Sequence, residues 1–259
     1  MTRISGVSAR DAGLRVKPAY YFTRRQIAQL TARGRERMIE PLELYAHAPG
    51  LLLAYGKLEQ ATAKLNRVDW RLKVLAQLKA ATLTSCEYCI DMGSQIARRS
   101  GLSDEQLLEL PRYRESELFN HLERLVLDYA VGMGRTPVDV SDALFAELRE
   151  HLDEAQLVEL TSAIALKNMR GRFNLALGIG EAGFSEGIVC AVPATAAEPR
   201  LRSLGDRGSE DAARPGHVAR FVRKITDELP CRSYIRSHVR VRFFDQVQER
   251  SRTRIRNLS

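Results

Sequence analysis

Nowhere does the chain approach the roughly 18 uninterrupted apolar residues that a membrane-spanning helix requires. Its first twenty residues carry Arg3, Arg10, Arg15 and Lys17 and contain no apolar stretch of the kind a secretory leader needs. Both absences point to a cytoplasmic protein with no membrane partner. Cysteine is scarce, with 4 in 259 residues, too few and too scattered for the framework of a small secreted disulfide domain. Only Cys86 and Cys89 are close in sequence. No second CxxC or CxxH accompanies them, which argues against a structural zinc site with its four ligands. Cys190 and Cys231 read as incidental, and His47, His121 and His151 each stand alone, so surface or packing roles are expected of them. No metal or cofactor is expected.

Positive charge is also unevenly supplied. The formal net charge is +8, yet residues 1–199 hold 25 Lys and Arg against 25 Asp and Glu, while residues 200–259 hold 15 against 7. The basic character therefore belongs to the tail and says little about the main body. Arg250, Arg252, Arg254 and Arg256 would attract phosphate. No helix-turn-helix, zinc-finger or aromatic stacking pattern accompanies them, so nucleic acid is not an expected partner. Residues 201–215 are rich in Gly, Ser, Arg and Asp and read as a linker, followed by a helical pattern over 217–229 and a strand-like alternation over 235–244. The expected organisation is an N-terminal arm over 1–35, a helical domain over 36–190 and a basic, poorly ordered extension over 191–259. The tail's arginine bias would also suit an appended or shifted reading frame.

The main body is punctuated as helices. Leu72, Leu75, Ala76, Leu78 and Ala80 predict a helix from Trp70 to Leu83 that feeds into the cysteine turn. A second helix carries the CxxC and stops near Arg98, Arg99, Ser100 and Gly101. Ser103 to Gln106 and Asp153 to Gln156 are capping-box patterns, opening a short helix to Leu110 and a long one to about Leu177. Residues 117–131 and 141–152 supply two more, with Thr136-Pro137 breaking the chain between them. The segments 23–33 and 35–47 suggest two weaker helices around Gly34, with Pro41 placing the second in question. Tyr20, Tyr21 and Phe22 read as a packing arm. The middle of the long helix, Ile164 to Met169, is apolar on nearly every side and suits a subunit interface.

Chemistry concentrates at Thr84-Ser85-Cys86-Glu87-Tyr88-Cys89-Ile90-Asp91. With Thr84 or Ser85 as the helix cap, both sulfurs fall in the first turn, three residues apart on one face, where a reversible disulfide can form. The amide dipoles at a helix start favour a thiolate, lowering a pKa of about 8.5 to roughly 3.5 to 7.5. Glu87, Tyr88 and Asp91 are candidate supporting groups, although the two carboxylates would oppose a nearby thiolate. Asn168, Arg172 and Asn174 are candidates for lining a pocket, bonding across subunits or satisfying local partners. Spacing leaves open which sulfur attacks, and helix logic makes Cys86 the more exposed.

The helix Leu72-Lys73-Val74-Leu75-Ala76, the turn Cys86 to Ser94 and the late helix Asn168 with Arg172-Phe173-Asn174-Leu175-Ala176-Leu177-Gly178-Ile179 together resemble the carboxymuconolactone decarboxylase superfamily, in its alkylhydroperoxidase D-like branch. The resemblance covers roughly residues 40–190. It implies an all-α helical bundle that assembles into trimers or hexamers, with the CxxC reducing a small hydroperoxide or exchanging with a dithiol. It also implies Cys89 as the attacking sulfur and Cys86 as the resolving one. The family's peroxidases carry a glutamate and two histidines as a proton relay, where this chain has Val74, Tyr88 and Gly93. General acid–base assistance contributes about 100-fold to 10,000-fold, so its loss favours thiol–disulfide exchange over fast peroxide reduction. Two other functions remain open: decarboxylation of a small cyclic lactone acid, and a helical oligomeric binding protein with structural thiols.

Overall fold

A computed structural model describes residues 2–31 and 38–193; the expected linker, the 217–229 helix, the 235–244 strand and Cys231 lie outside them. The regular elements among the described residues are all helices, without strands: α1 (Lys17–Thr31), α2 (Glu40–Tyr45), α3 (Pro49–Ala63), α4 (Trp70–Thr84), α5 (Glu87–Arg99), α6 (Asp104–Glu109), a 3₁₀ turn (Leu110–Arg112), α7 (His121–Gly134), α8 (Asp142–Arg149) and α9 (Glu154–Leu177). The all-α expectation holds.

Helix α4 lies at the centre, packed against α5, α7 and α9. Its central placement follows from a sequence apolar on several faces at once, and even Lys73 and Lys79 are buried along it. Lys73 donates to Glu159 Oε1 at 2.5 Å and to Leu65 O, and Lys79 donates to Leu110 O. Ala76 and Ala80 of α4 meet Val126, Tyr129 and Ala130 of α7, Leu148 of α8, and Leu157, Leu160 and Ile164 of α9 in one core. The capping boxes at Ser103 and Asp153 form as expected. Helix α7 begins later than its apolar pattern, at a third capping box made by Asn120 and Glu123.

Three local expectations change. Pro41 does not interrupt a helix but stands in the first turn of α2, where its missing N–H costs nothing. Helix α1 starts at Lys17 rather than Thr23, and Tyr20 alone of its aromatic trio is buried, donating to Val7 O at 2.8 Å. Helix α3 has no counterpart in the sequence reading, since Gly50, Gly56 and the run Leu51-Leu52-Leu53 give it no helical period. The N-terminal arm is docked on the bundle: Arg3 N–H donates to Leu177 O and Val7 N–H to Glu43 O. No helix among the described residues is long and apolar enough to cross a membrane.

Candidate redox site

The site is built on the reversal between α4 and α5. Ser85 ends α4 in the left-handed region at φ 54°, a conformation that costs a non-glycine residue roughly 1 to 2 kcal/mol. This turn lets α5 begin two residues later. Neither Thr84 nor Ser85 caps α5: the cap is Cys86 itself, whose Sγ accepts the backbone N–H of Cys89 at 3.3 Å. Its own N–H closes α4 by donating to Ala81 O. Thr84 instead turns its hydroxyl back to Ala80 O and Ala81 O, as helix-end threonines do.

Cys86 and Cys89 are joined as a disulfide, with their Cα atoms 5.2 Å apart. Both are buried, at 0% and 2% exposure, so the expectation of an exposed Cys86 is corrected: the N-cap position faces the α4–α9 interior. From α9, the side-chain amide of buried Asn174 donates to Cys86 Sγ at 3.5 Å and to Cys89 Sγ at 3.6 Å. Helix α9 reaches this depth because Gly171 lies against Thr84; a Cβ at Gly171 would stand 2.6 Å from Thr84 Oγ1. Lys167, Gly171 and Asn174 recur at four- and three-residue spacing and mark the buried face of α9.

Two of the three candidate supporting groups, Asp91 and Tyr88, are committed elsewhere. Asp91 is buried, and its carboxylate accepts the backbone N–H groups of Ala182 at 3.1 Å, Phe184 at 2.9 Å and Ser185 at 2.6 Å. It anchors the segment after α9 onto α5, assisted by Ser185 Oγ on Asp91 O and by Gln95 on Ser185. Tyr88 donates to Met38 O and packs edge-on against Phe184, with ring centroids 6.0 Å apart. Burial, with the negative charge of Asp91 beside it, pushes the Tyr88 phenol up, so it keeps its proton at neutral pH. Glu87 is half-buried with its carboxylate facing Gly180. Gly93 packs so closely that a Cβ there would stand 3.2 Å from Leu78 Cδ1, leaving little space for an imidazole.

No histidine replaces the missing relay among the described residues. The His47 ring bonds Ser5 O, and His121 pairs with Glu147 beside His151 on the surface. Of the polar trio on α9, Asn168 donates to Met133 O and Arg172 to Thr136 Oγ1, and only Asn174 meets the sulfurs. Cys190 is buried and disulfide-bonded outside the Cys86–Cys89 pair, which corrects the expectation that it is incidental. A separate groove of about 190 Å³ is lined by Glu59, Trp70, Lys73, Glu159, Leu166 and Arg170, and neither cysteine borders it.

Comparison with known proteins agrees with this architecture. Residues 49–131 match the model of the carboxymuconolactone decarboxylase family. The chain is 34% identical over 171 residues to the uncharacterized protein YnjA of Escherichia coli (strain K12), covering 64% of this chain and 89% of YnjA. It is 26% identical over 142 residues to the uncharacterized protein YdfG of Bacillus subtilis (strain 168), covering 54% of this chain and 96% of YdfG. Among solved structures, the debrominase Bmp8 superposes with a TM-score of 0.59 at 20% identity, over 71% of this chain and 94% of that one. An alkylhydroperoxidase AhpD core protein from Ralstonia eutropha JMP134 superposes with a TM-score of 0.54 at 17% identity, over 71% and 94%. By its matched residues, the chain belongs to the carboxymuconolactone decarboxylase family.

Proposed function

We propose that the chain is a thiol-dependent oxidoreductase whose Cys86 and Cys89 cycle between dithiol and disulfide. The observation that supports this most is the pair itself: two sulfurs bonded at the start of α5, each accepting an N–H group. In the oxidising half-cycle with a hydroperoxide, one thiolate attacks the terminal peroxide oxygen. The O–O bond breaks, the alkoxide leaves and takes a proton, and the cysteine becomes a sulfenic acid. The second thiolate attacks that sulfur, expelling hydroxide and closing the disulfide. A dithiol then restores the pair.

Of the groups that could assist peroxide cleavage, Asp91 is occupied by three amides and the Tyr88 hydroxyl by Met38 O. Thiol–disulfide exchange needs no separate general acid when the leaving sulfur is a stabilised thiolate. Small disulfides and dithiol carriers are therefore the better substrates in this reading, which suits a reducing compartment such as the cytoplasm. The test is turnover of a small disulfide and of an alkyl hydroperoxide, each with a dithiol reductant. The expected result is measurable turnover, faster with the disulfide, and lost in both Cys86→Ser and Cys89→Ser. Turnover that survives in both variants contradicts the proposal.

Assembly into a homo-oligomer is part of the same proposal. Helix α3 exposes Leu51, Leu53 and Leu58 and buries only Leu52, while α9 exposes Val158 and Met169. A second copy would remove this apolar surface from water.

A further inference from the structure

Cys86 and Cys89 are both buried, so a thiol that attacks their disulfide needs part of the surrounding wall to move. Two sides of that wall belong to the packed helices: Cys86 N–H bonds Ala81 O of α4, and Asn174 of α9 donates to both sulfurs. A third side is a strap, residues 178–185, that has no regular structure. It leaves α9 one turn after Asn174, at Gly178 in the left-handed region with φ 71°. From there it covers both residues that separate the cysteines in sequence. A Cβ on Gly180 would stand 3.3 Å from Glu87 Oε2, and the fully buried Phe184 ring packs edge-on against Tyr88. Three backbone N–H groups of the strap, those of Ala182, Phe184 and Ser185, end on the single carboxylate of Asp91. Gln95 adds one bond to Ser185 Oγ at 2.9 Å. Helices α4 and α9 are held instead by their own hydrogen-bond ladders and by the shared core. A segment tied down at so few points opens at a lower free energy than the whole domain.

We propose that residues 178–185 form a gate over the disulfide and that Asp91 is its latch: a dithiol reaches the pair when the strap lifts from α5 while the helices stay packed. This rests on the redox reading above and supplies its route of access. With the strap lifted, one thiolate of the dithiol bonds a cysteine sulfur as the Cys86–Cys89 bond breaks. The second thiolate then attacks the dithiol's own sulfur in that mixed disulfide and releases the cysteine. The dithiol loses two electrons and two protons and becomes a disulfide, and the pair gains both and becomes two thiols. Asp91 takes no part in these bonds. It sets how often the sulfurs are reached, which is the use its burial beside the CxxC has in this fold.

The experiment measures the rate at which excess dithiothreitol reduces Cys86–Cys89 in the native full chain, by acid quench and alkylation, across urea concentrations below the unfolding transition. Local opening exposes little surface, so the wild-type rate is expected to change little with urea there. Asp91→Asn sets an amide N–H₂ where a carboxylate oxygen accepts, and is expected to speed reduction about 10-fold to 100-fold. Leu148→Ala, in the core shared by α4, α7, α8 and α9, lowers the stability of the whole domain and is expected to leave the low-urea rate unchanged. Should Asp91→Asn fail to fold, Gln95→Ala removes the bond to Ser185 and is expected to speed reduction about threefold. A rate unmoved in the folded strap variant, or raised as much by Leu148→Ala, overturns the gate. The assay reads reduction and not turnover: a latch-dependent rate without enzymatic activity refutes the proposed function and upholds the gate, and turnover with a latch-independent rate does the reverse.

Discussion

Helices α3 and α5 lie in the same matched stretch of the family, yet they make opposite use of their sequences. Helix α3 is mostly small and apolar and buries only Leu52; α5 carries Glu, Asp, Ser, Gln and Arg and buries eight of its thirteen residues. Partner groups account for the difference. On α5, Asp91 finds three backbone amides, Ser94 bonds Ile90 O and Ala191 N–H, and Gln95 finds Ser185. A buried polar group with its hydrogen bonds made is no burden to the fold. On α3 the inward edge is fixed by Arg170, which donates to Tyr55 and Glu59, and by Tyr45 stacked between Tyr55 and Phe173. Among the described residues its other side, with Leu51, Leu53 and Leu58, is exposed. Helix α9 spans both regions, with Asn174 at the sulfurs and Leu166 and Arg170 at the groove beside α3.

One buried cation between the two regions carries the largest expected effect. Lys167 is buried on α9. Burial, with the like charge of Arg170 nearby and only partial relief from Glu59, pushes its amine down to about 7. The unfolded chain, with an ordinary lysine near 10.4, then holds the proton more tightly than the folded one. Stability attributable to Lys167 is lowest below about pH 7 and rises toward about pH 10. Lys167→Met is expected to raise stability at pH 7, on the order of a few kcal/mol, and to flatten that rise. Denaturant midpoints from about pH 6 to pH 10 check it; a variant with the wild-type pH dependence contradicts it.

Asp91→Ala acts in the opposite direction within the satisfied region. Leaving three buried N–H groups without an acceptor is expected to cost about 3 kcal/mol. Amide exchange supplies a local readout, since protection at Ala182, Phe184 and Ser185 should fall before that of α4. Next comes Gly171→Ala, whose methyl would crowd Thr84 and move α9 off α4, at about 1 to 2 kcal/mol. It should also weaken the Asn174 bonds, so the cysteine thiols of the reduced variant should alkylate faster than in the wild type. The smallest effect on the fold is expected of Leu58→Lys on α3, within about 0.5 kcal/mol. Sedimentation should nonetheless show a smaller species than the wild type, and an unchanged mass would mean that α3 is not an interface.

Much of this was legible from sequence, for definite physical reasons. Capping boxes at Ser103 and Asp153 are local chemistry, and the structure forms both. The cysteine pair was legible because three-residue spacing at a helix start brings two sulfurs together whatever surrounds them. Cys86 as its own cap was not: serine and threonine stand before it, and only the left-handed turn at Ser85 moves the helix start by one residue. Asp91 looked like a candidate near the thiols because its amide partners lie more than ninety residues away. Asn174 could be singled out from Asn168 and Arg172 only once Gly171 fixed which face of α9 turns inward. Helix α3 escaped notice because its apolar residues follow no period, which is also why so few of them are buried.

The central claim is that a fully buried cysteine pair is redox-active rather than structural. The most direct test equilibrates the native chain across a series of dithiol-to-disulfide buffer ratios, quenches it with acid, and alkylates Cys86 and Cys89 after unfolding for mass analysis. The account predicts a reversible transition of the two residues together, with the two-electron slope of about 30 mV per tenfold change in ratio. A pair that stays in one state across the series, and changes only when the chain is unfolded, would contradict it.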